Sequence, residues 1–165
     1  MTFTRLVGLF LITILIAGCG ANPVKTNAPE ILGKTSYKGK GVPNGRSDSK
    51  AQFAALKGVS SDPSYGYTKA NPINVGVGNP TKGPASERYY LNALRSSKGL
   101  PIAYERLGSC CVFKTPNGIE GAGLLDVFAI TTPDSPKPRI LYVNFYDPVK
   151  QPALAPLGFT TRKLN

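Results

Sequence analysis

Glycine and proline interrupt this chain at short intervals, which excludes a fold built on long helices. Gly 18 and Pro 15 among 165 residues predict many turns and short elements. That length suits one domain with a true core rather than two. Histidine and tryptophan are both absent, so the commonest general base and metal ligand is missing.

One helix is expected, over Ser86–Ser97, between Pro84 and Gly99. Glu87 falls in its first turn, where the helix dipole favours a carboxylate. Glu87, Tyr90, Leu91 and Leu94 recur at helical spacing, so Tyr90, Leu91 and Leu94 should face the core, leaving Arg88 and Arg95 outside that stripe. The remainder reads as strand. Ile73–Val77 is one short strand, "IAYERL" (102–107) alternates, and "CCVFK" continues it as a second extended segment. "TPNG" reads as a hairpin exit with Gly118 left-handed. "LLDVFAITT" (124–132) and "RILYVNFY" (139–146) are rich in β-branched and aromatic residues, with "PDSPKP" as the loop between them. Leu141, Val143 and Phe145 share one face of the last of these; Ile140, Tyr142, Asn144 and Tyr146 share the other. A short terminal strand is expected from Leu157 to Thr161. The fold class is α+β: a small antiparallel sheet of four to five strands with one main helix packed on it.

The N-terminus, "MTFTRLVGLFLITILIAGCG", begins with a basic Arg5 and an apolar run from Leu6 to Ala17. As a helix that run spans roughly 18 Å against a hydrocarbon core of about 30 Å, which suits a signal h-region rather than a membrane span. Ile16-Ala17-Gly18-Cys19 resembles the lipobox of bacterial lipoproteins. The resemblance implies cleavage between Gly18 and Cys19, a diacylglyceryl thioether on the Cys19 sulfur, and acylation of the freed amine. Each buried CH₂ contributes about 0.8 kcal/mol, so two or three chains anchor stably where one does not. Gly20 follows in place of the aspartate that retains lipoproteins at the inner membrane in enteric-type sorting. That implies an outer-membrane anchor facing the periplasm in a Gram-negative cell.

The organisation expected is a signal peptide over 1–18, a lipidated basic tether over 19–62, and a compact domain over 63–165. The tether is rich in Lys, Gly, Ser, Asn and Pro, with one short helical turn in "KAQFAALKG". Loss of Arg5 with the leader takes the net charge from +11 to +10. Lys34, Lys38, Lys40, Arg46, Lys50 and Lys57 make the tether basic, either as a solvated linker or as a surface for anionic lipid, lipopolysaccharide or wall polymer. Export separates the chain from nucleic acid, which is not an expected partner. "VGVGNPTKGP" fails both nucleotide-loop patterns: the third dinucleotide glycine would fall on Thr81, and Lys82 precedes Gly83. A glycine-rich turn is expected there, with a backbone anion site beside Lys82 as the alternative.

Lipidation of Cys19 leaves Cys110 and Cys111. Two thiolates without histidine cannot close a tetrahedral zinc site, so neither metal nor cofactor is expected. Three states are open to the pair: a vicinal disulfide, two reduced thiols, or a bond to another chain. Adjacent Cα atoms lie about 3.8 Å apart across a trans peptide, below the usual disulfide range. A vicinal bond is therefore expected to need a distorted or cis peptide and to reduce more easily than a relaxed one. In an unbroken strand one thiol would point to the core and the other outward. Among carboxylates, Glu105 and Arg106 sit on opposite strand faces, and Asp147 ends its strand. Asp126 interrupts an apolar strand and is expected to face solvent, with a buried ion pair to Arg106 or Arg139 as the alternative. No nucleophile–base arrangement is visible.

"YGYTKANPINVG", "ERYYLNAL", "YERLGSCCVFKTPNG", "GLLDVFAIT" and "LYVNFYDP" together resemble an uncharacterised family of small bacterial lipoproteins, over roughly Tyr65 to Phe159. Some of its members are labelled 2-dehydro-3-deoxyphosphooctonate aldolase. An aldolase of that name is a cytoplasmic (β/α)₈ barrel of about 250 residues, which this chain is too short to form. Two functional classes follow from the residues. One is a non-catalytic, lipid-anchored module binding another envelope protein or an anionic polymer. The other is a thiol-redox or redox-sensing lipoprotein using Cys110 and Cys111.

Overall fold

Three long strands in succession, β4 (Ala103–Ile119), β5 (Ala122–Thr132) and β6 (Ser135–Pro148), form an antiparallel meander at the centre of the molecule. The structure is a computed structural model that describes residues 38–40, 54, 56–148 and 153–162. Before the meander come β1 (Lys38–Lys40), β2 (Ile73–Gly76), a 3₁₀ turn (Pro80–Lys82), α1 (Gly83–Ala93) and β3 (Leu94–Ser96); β7 (Phe159–Thr161) follows it. The main sheet has the order β1-β4-β5-β6-β2, and β3 pairs with β7 in a separate two-stranded sheet.

The sheet is mixed rather than antiparallel throughout. β2 runs parallel to β6, with Ile73 opposite Val143 and Asn74 opposite Asn144. β2 leads through the 3₁₀ turn into α1, which packs against β2 and β6. The helix also differs from the expected one, starting at Gly83 with Pro84 in its first turn and ending at Ala93. Leu94 is extended (φ −69°, ψ 147°), and Leu94–Ser96 pair with Thr161–Phe159. Sheet pairing has overridden the helical pattern at that end. Two consequences follow. Glu87 lies beyond the first turn, and Arg95, expected outside the apolar stripe, is fully buried, donating from Nη1 to the carbonyls of Asn92 and Leu94 at 2.7 Å each.

Both faces of the sheet are covered. On the helix side Tyr90, Leu91 and Leu94 pack with Ile73, Tyr104, Phe128, Ile130, Leu141 and Val143. On the outer side Cys110, Leu125 and Val127 form a second cluster, flanked by Leu107, Cys111, Phe113, Ile140 and Tyr142. The expected two faces of the last long strand are therefore present, each with its own apolar partners. β1 lies within the expected tether, with Lys38 opposite Glu105, and Lys57 and Ser60 donate backbone bonds to Ala153 and Ala155. The turn expected in "KAQFAALKG" falls largely outside the described residues; Ala54 and residues 56–58 carry no helix.

Two turns fall elsewhere than the sequence suggests. β4 passes straight through "TPNG" and reverses at Glu120 and Gly121, both with positive φ (52° and 78°). Lys114 and Ile119 both oppose Ala122, so residues 115–118 bulge from the ladder. The second hairpin turns at Pro133–Asp134, because Thr132 already pairs with Ser135. Gly118 is needed for contact rather than for a left-handed turn: a Cβ there would collide with the backbone carbonyl of Ala122. Gly118→Ala is expected to cost about 1–3 kcal/mol, seen as a lower denaturant midpoint with an unchanged slope.

Candidate functional site

The chemistry-bearing residues gather where β4 leaves its regular register. Arg106 opposes Phe128, but Gly108 opposes Val127, so Leu107 is an extra residue; Cys110 opposes Leu125 while Val112 opposes Leu124, so Cys111 is another. A strand alternates faces with a period of two, and each extra residue reverses that phase. Gly108, at φ 143°, carries the first irregularity, and Cys111, at φ 59°, the second. The first reversal puts Ser109 on the helix side with Arg106 and Asp126. It also puts Cys110 on the outer side, and the second insertion leaves Cys111 beside it.

On the helix side, Arg106 grips Asp126 with two parallel bonds, Nε to Oδ2 at 2.6 Å and Nη2 to Oδ1 at 2.7 Å. Ser109 Oγ donates to Asp126 Oδ1 at 2.7 Å and accepts from Arg106 Nη2. The side chains of Arg106 and Asp126 are only 13% and 3% exposed, so this is a buried, bidentate, charge-assisted pair. Asp126 thus lies inside rather than facing solvent, because the helix covers the face on which it stands. Arg139 is engaged elsewhere, donating to the carbonyl of Gly158 at 2.7 Å and stacking over the Phe159 ring.

α1 adds a second carboxyl to this knot. Glu87 is fully buried, and neither of its oxygens makes a hydrogen bond of ordinary geometry. Burial pushes its carboxyl up to about 10, and the adjacent Asp126 charge adds to the effect against smaller pulls from Arg106 and Arg88. Glu87 is therefore protonated at neutral pH. The cluster then holds one cation, one anion and one neutral acid, with no uncompensated charge.

On the outer side Cys110 and Cys111 are joined by a disulfide. Of the two expected alternatives, a distorted or a cis peptide, the cis form is not adopted, since no described peptide bond is cis; the left-handed backbone at Cys111 is where this segment departs from extended geometry. In the chain-entropy picture, closing a loop between neighbours stabilises by only about 1 kcal/mol, against about 3 for a fifteen-residue loop. This bond is not an effective staple.

Beyond the disulfide, Asp147 gathers the polar residues of two motifs. Thr115 Oγ1 and Asn117 Nδ2 donate to its Oδ1, and Asn144 Nδ2 donates to Oδ2 at 2.9 Å. Burial works to raise its carboxyl, but these three bonds outweigh it and hold Asp147 below the usual carboxylate range. This contact explains why "TPNG" and "VNFYDP" carry those residue types. At the other end of β4 an open groove of about 370 Å³ is lined by Ala103, Tyr104, Ala129, Thr131 and Pro138. Its charged walls, Lys38 and Glu105, pair with each other at 3.7 Å.

Of the other sequence-derived candidates, Gly18 and Cys19 lie outside the described residues. Near Lys82, Asn79 Oδ1 accepts from the backbone and hydroxyl of Thr81, so the glycine-rich segment is a side-chain-closed turn. Glu87 and Ser109 were missed as members of the charged cluster. The signal for Glu87 was its place on the apolar stripe with Tyr90 and Leu91; Ser109 offered none without the register. Among the described residues no group of three His, Cys, Asp or Glu side chains is placed to hold a metal ion. No protein-family model, curated protein or solved structure matches the chain.

Two outcomes test this cluster. A carboxyl whose folded-state value lies above its unfolded one favours folding fully below the unfolded value and loses that contribution as pH rises. Stability should therefore fall between about 4.5 and about 10 on account of Glu87. Glu87→Gln, neutral throughout, should flatten that slope and be more stable by about 1–3 kcal/mol in mildly alkaline buffer, with the two proteins converging in acid; denaturant titrations across pH read this directly. Arg106→Ala strands Asp126 and should cost about 3–5 kcal/mol, most of it recovered in the Arg106→Ala/Asp126→Ala double variant. Additive losses in that cycle would show that the pair is not coupled.

Proposed function

We propose that the chain is a lipid-anchored bacterial envelope protein whose folded domain serves as a non-catalytic binding or structural module. The observation that carries this reading is the N-terminal sequence: a basic residue, a short apolar run, and Ile16-Ala17-Gly18-Cys19 in register. Cys19 takes the lipid, the basic tether leads from the membrane, and Gly20 directs the anchor to the outer membrane facing the periplasm. The Cys110–Cys111 bond supports the same compartment, since disulfides persist in oxidising environments. Among the described residues no helix is long and apolar enough to cross a membrane, and the reading needs none.

The domain's polar chemistry supports a structural role. Arg106 and Asp126 neutralise each other, Glu87 is sealed beneath the helix, and Asp147 is occupied by three donors from its own chain. A five-stranded mixed sheet is also not the closed barrel that the aldolase label would require. The module's partner is another envelope protein or an anionic polymer, met through the basic tether.

Intact mass of the membrane-extracted protein tests the anchor. The mature chain should begin at Cys19 and carry two or three acyl chains. Cys19→Ser should retain the leader and lose the added acyl mass. Unmodified chain in the membrane fraction would sink the reading.

A further inference from the structure

Ring closure between neighbouring residues does little for stability, so stapling does not account for Cys110 and Cys111. Three observations point to a different use. Access to the bond is one-sided: Cys110 is fully buried with Leu125 and Val127, whereas Cys111 is partly exposed. Cys111 is also the extra residue of its bulge and sits at φ 59°, a backbone conformation that non-glycine residues rarely adopt. Downstream, β4 exposes two apolar side chains, while Thr115 and Asn117 hold it to Asp147. Val112 is 68% exposed and Ile119 80%, and residues 115–118 form a third irregularity, so the ladder there is already out of regular register.

We propose that the Cys110–Cys111 bond is an exchange site for a dithiol reductant, entered at the Cys111 sulfur, and that opening it lets residues 111–118 shift their pairing with β5. A thiolate of the reductant attacks Cys111 Sγ. The S–S bond breaks, and its electron pair passes to Cys110 Sγ, which takes up a proton. The reductant's second thiol, as thiolate, then attacks the mixed disulfide and releases Cys111, which is protonated in turn. Two electrons and two protons reach the chain, and the reductant leaves as its own disulfide.

With the ring open, Cys111 is free to return to extended backbone, which removes the bulge. Each residue after it then moves by one position and changes face, and the irregularity at 115–118 absorbs the difference. The exchange site does not depend on the lipid anchor, and the two stand or fall separately.

The test uses full-length protein extracted from membranes. A limiting amount of glutathione, a monothiol, traps the mixed disulfide, and tandem mass spectrometry locates it. The adduct is expected on Cys111; an adduct on Cys110 overturns the direction of attack. A bond that survives millimolar dithiothreitol in the folded protein overturns the exchange site. Amide hydrogen exchange then compares oxidised and reduced protein. Amides from Val112 to Ile119 should exchange about tenfold or more faster after reduction, while Val127–Ile130 keep their protection. Equal exchange in the two states, or acceleration throughout the sheet, overturns the shift. Two variants separate backbone from redox effects. C110A/C111G tolerates the left-handed position and should exchange like oxidised protein, whereas C110A/C111V disfavours it and should exchange like reduced protein. Identical local exchange in both variants, or loss of protection throughout the sheet in C110A/C111V, counts against the proposal.

Discussion

The register of β4 against β5 is the constraint on which the rest of the molecule depends. Each strand residue has two faces to choose from, and one inserted residue reverses the choice for everything after it. Over residues 103–114 β4 makes two such insertions, at Leu107 and at Cys111, so within that stretch its phase is reversed only between them. Tyr104 and Arg106 before the first, and Val112 after the second, follow one common alternation. Without the insertions Cys110 would face the helix and Ser109 the outer side. With them, Ser109 completes the Arg106–Asp126 knot and Cys110 joins Leu125 and Val127. A five-residue stretch thereby sorts its polar and sulfur chemistry to opposite sides of one sheet.

The buried charges show why this sorting matters energetically. Placing Asp126 beneath a helix would be costly for an isolated carboxylate, and the bidentate Arg106 contact with Ser109 compensates it only if all three share a face. α1 then brings Glu87 against the same site, where a second negative charge has no counterpart. The proton it retains removes that conflict. Helix docking, strand register and protonation are therefore linked at one point. Asp147 shows the contrasting solution, with three neutral donors keeping a carboxylate ionised.

Much of the architecture was legible from periodicity. The apolar alternation of 124–132 and 139–146 located β5 and β6, and Leu141, Val143 and Phe145 share the helix-side face as that alternation requires. Tyr90 and Leu91 were legible as core. The end of α1 was not, because Leu94–Ser96 fit a helix locally and become a strand only by pairing with Phe159–Thr161, over sixty residues later. Arg95 was misplaced for the same reason. Asp126 was read as solvent-facing because a sheet with one helix suggests one wet face; it stands instead on the face that the helix covers. The parallel pairing of β2 with β6 has no local signature, since the direction of an edge strand follows from where the chain must go next. The bulges left a single trace, Gly108, and nothing in composition distinguishes a strand residue that is paired from one that is inserted.

The same reasoning changes what "GSCC" and "TPNG" mean. Each looks locally like a turn or a reactive pair, yet in the fold both are departures from register on one continuous strand, with only Val112–Lys114 between them. Residues on either side are anchored by different networks: Ser109 by Asp126, Thr115 and Asn117 by Asp147. Because strand pairing permits whole-residue steps and nothing between, a change at Cys111 cannot spread as a small gradual displacement. It must either be confined to the bulge or move the intervening residues by a full position. A step at Cys111 that left the bulge would therefore reach Thr115 and Asn117, the residues that hold Asp147, by whole positions of register.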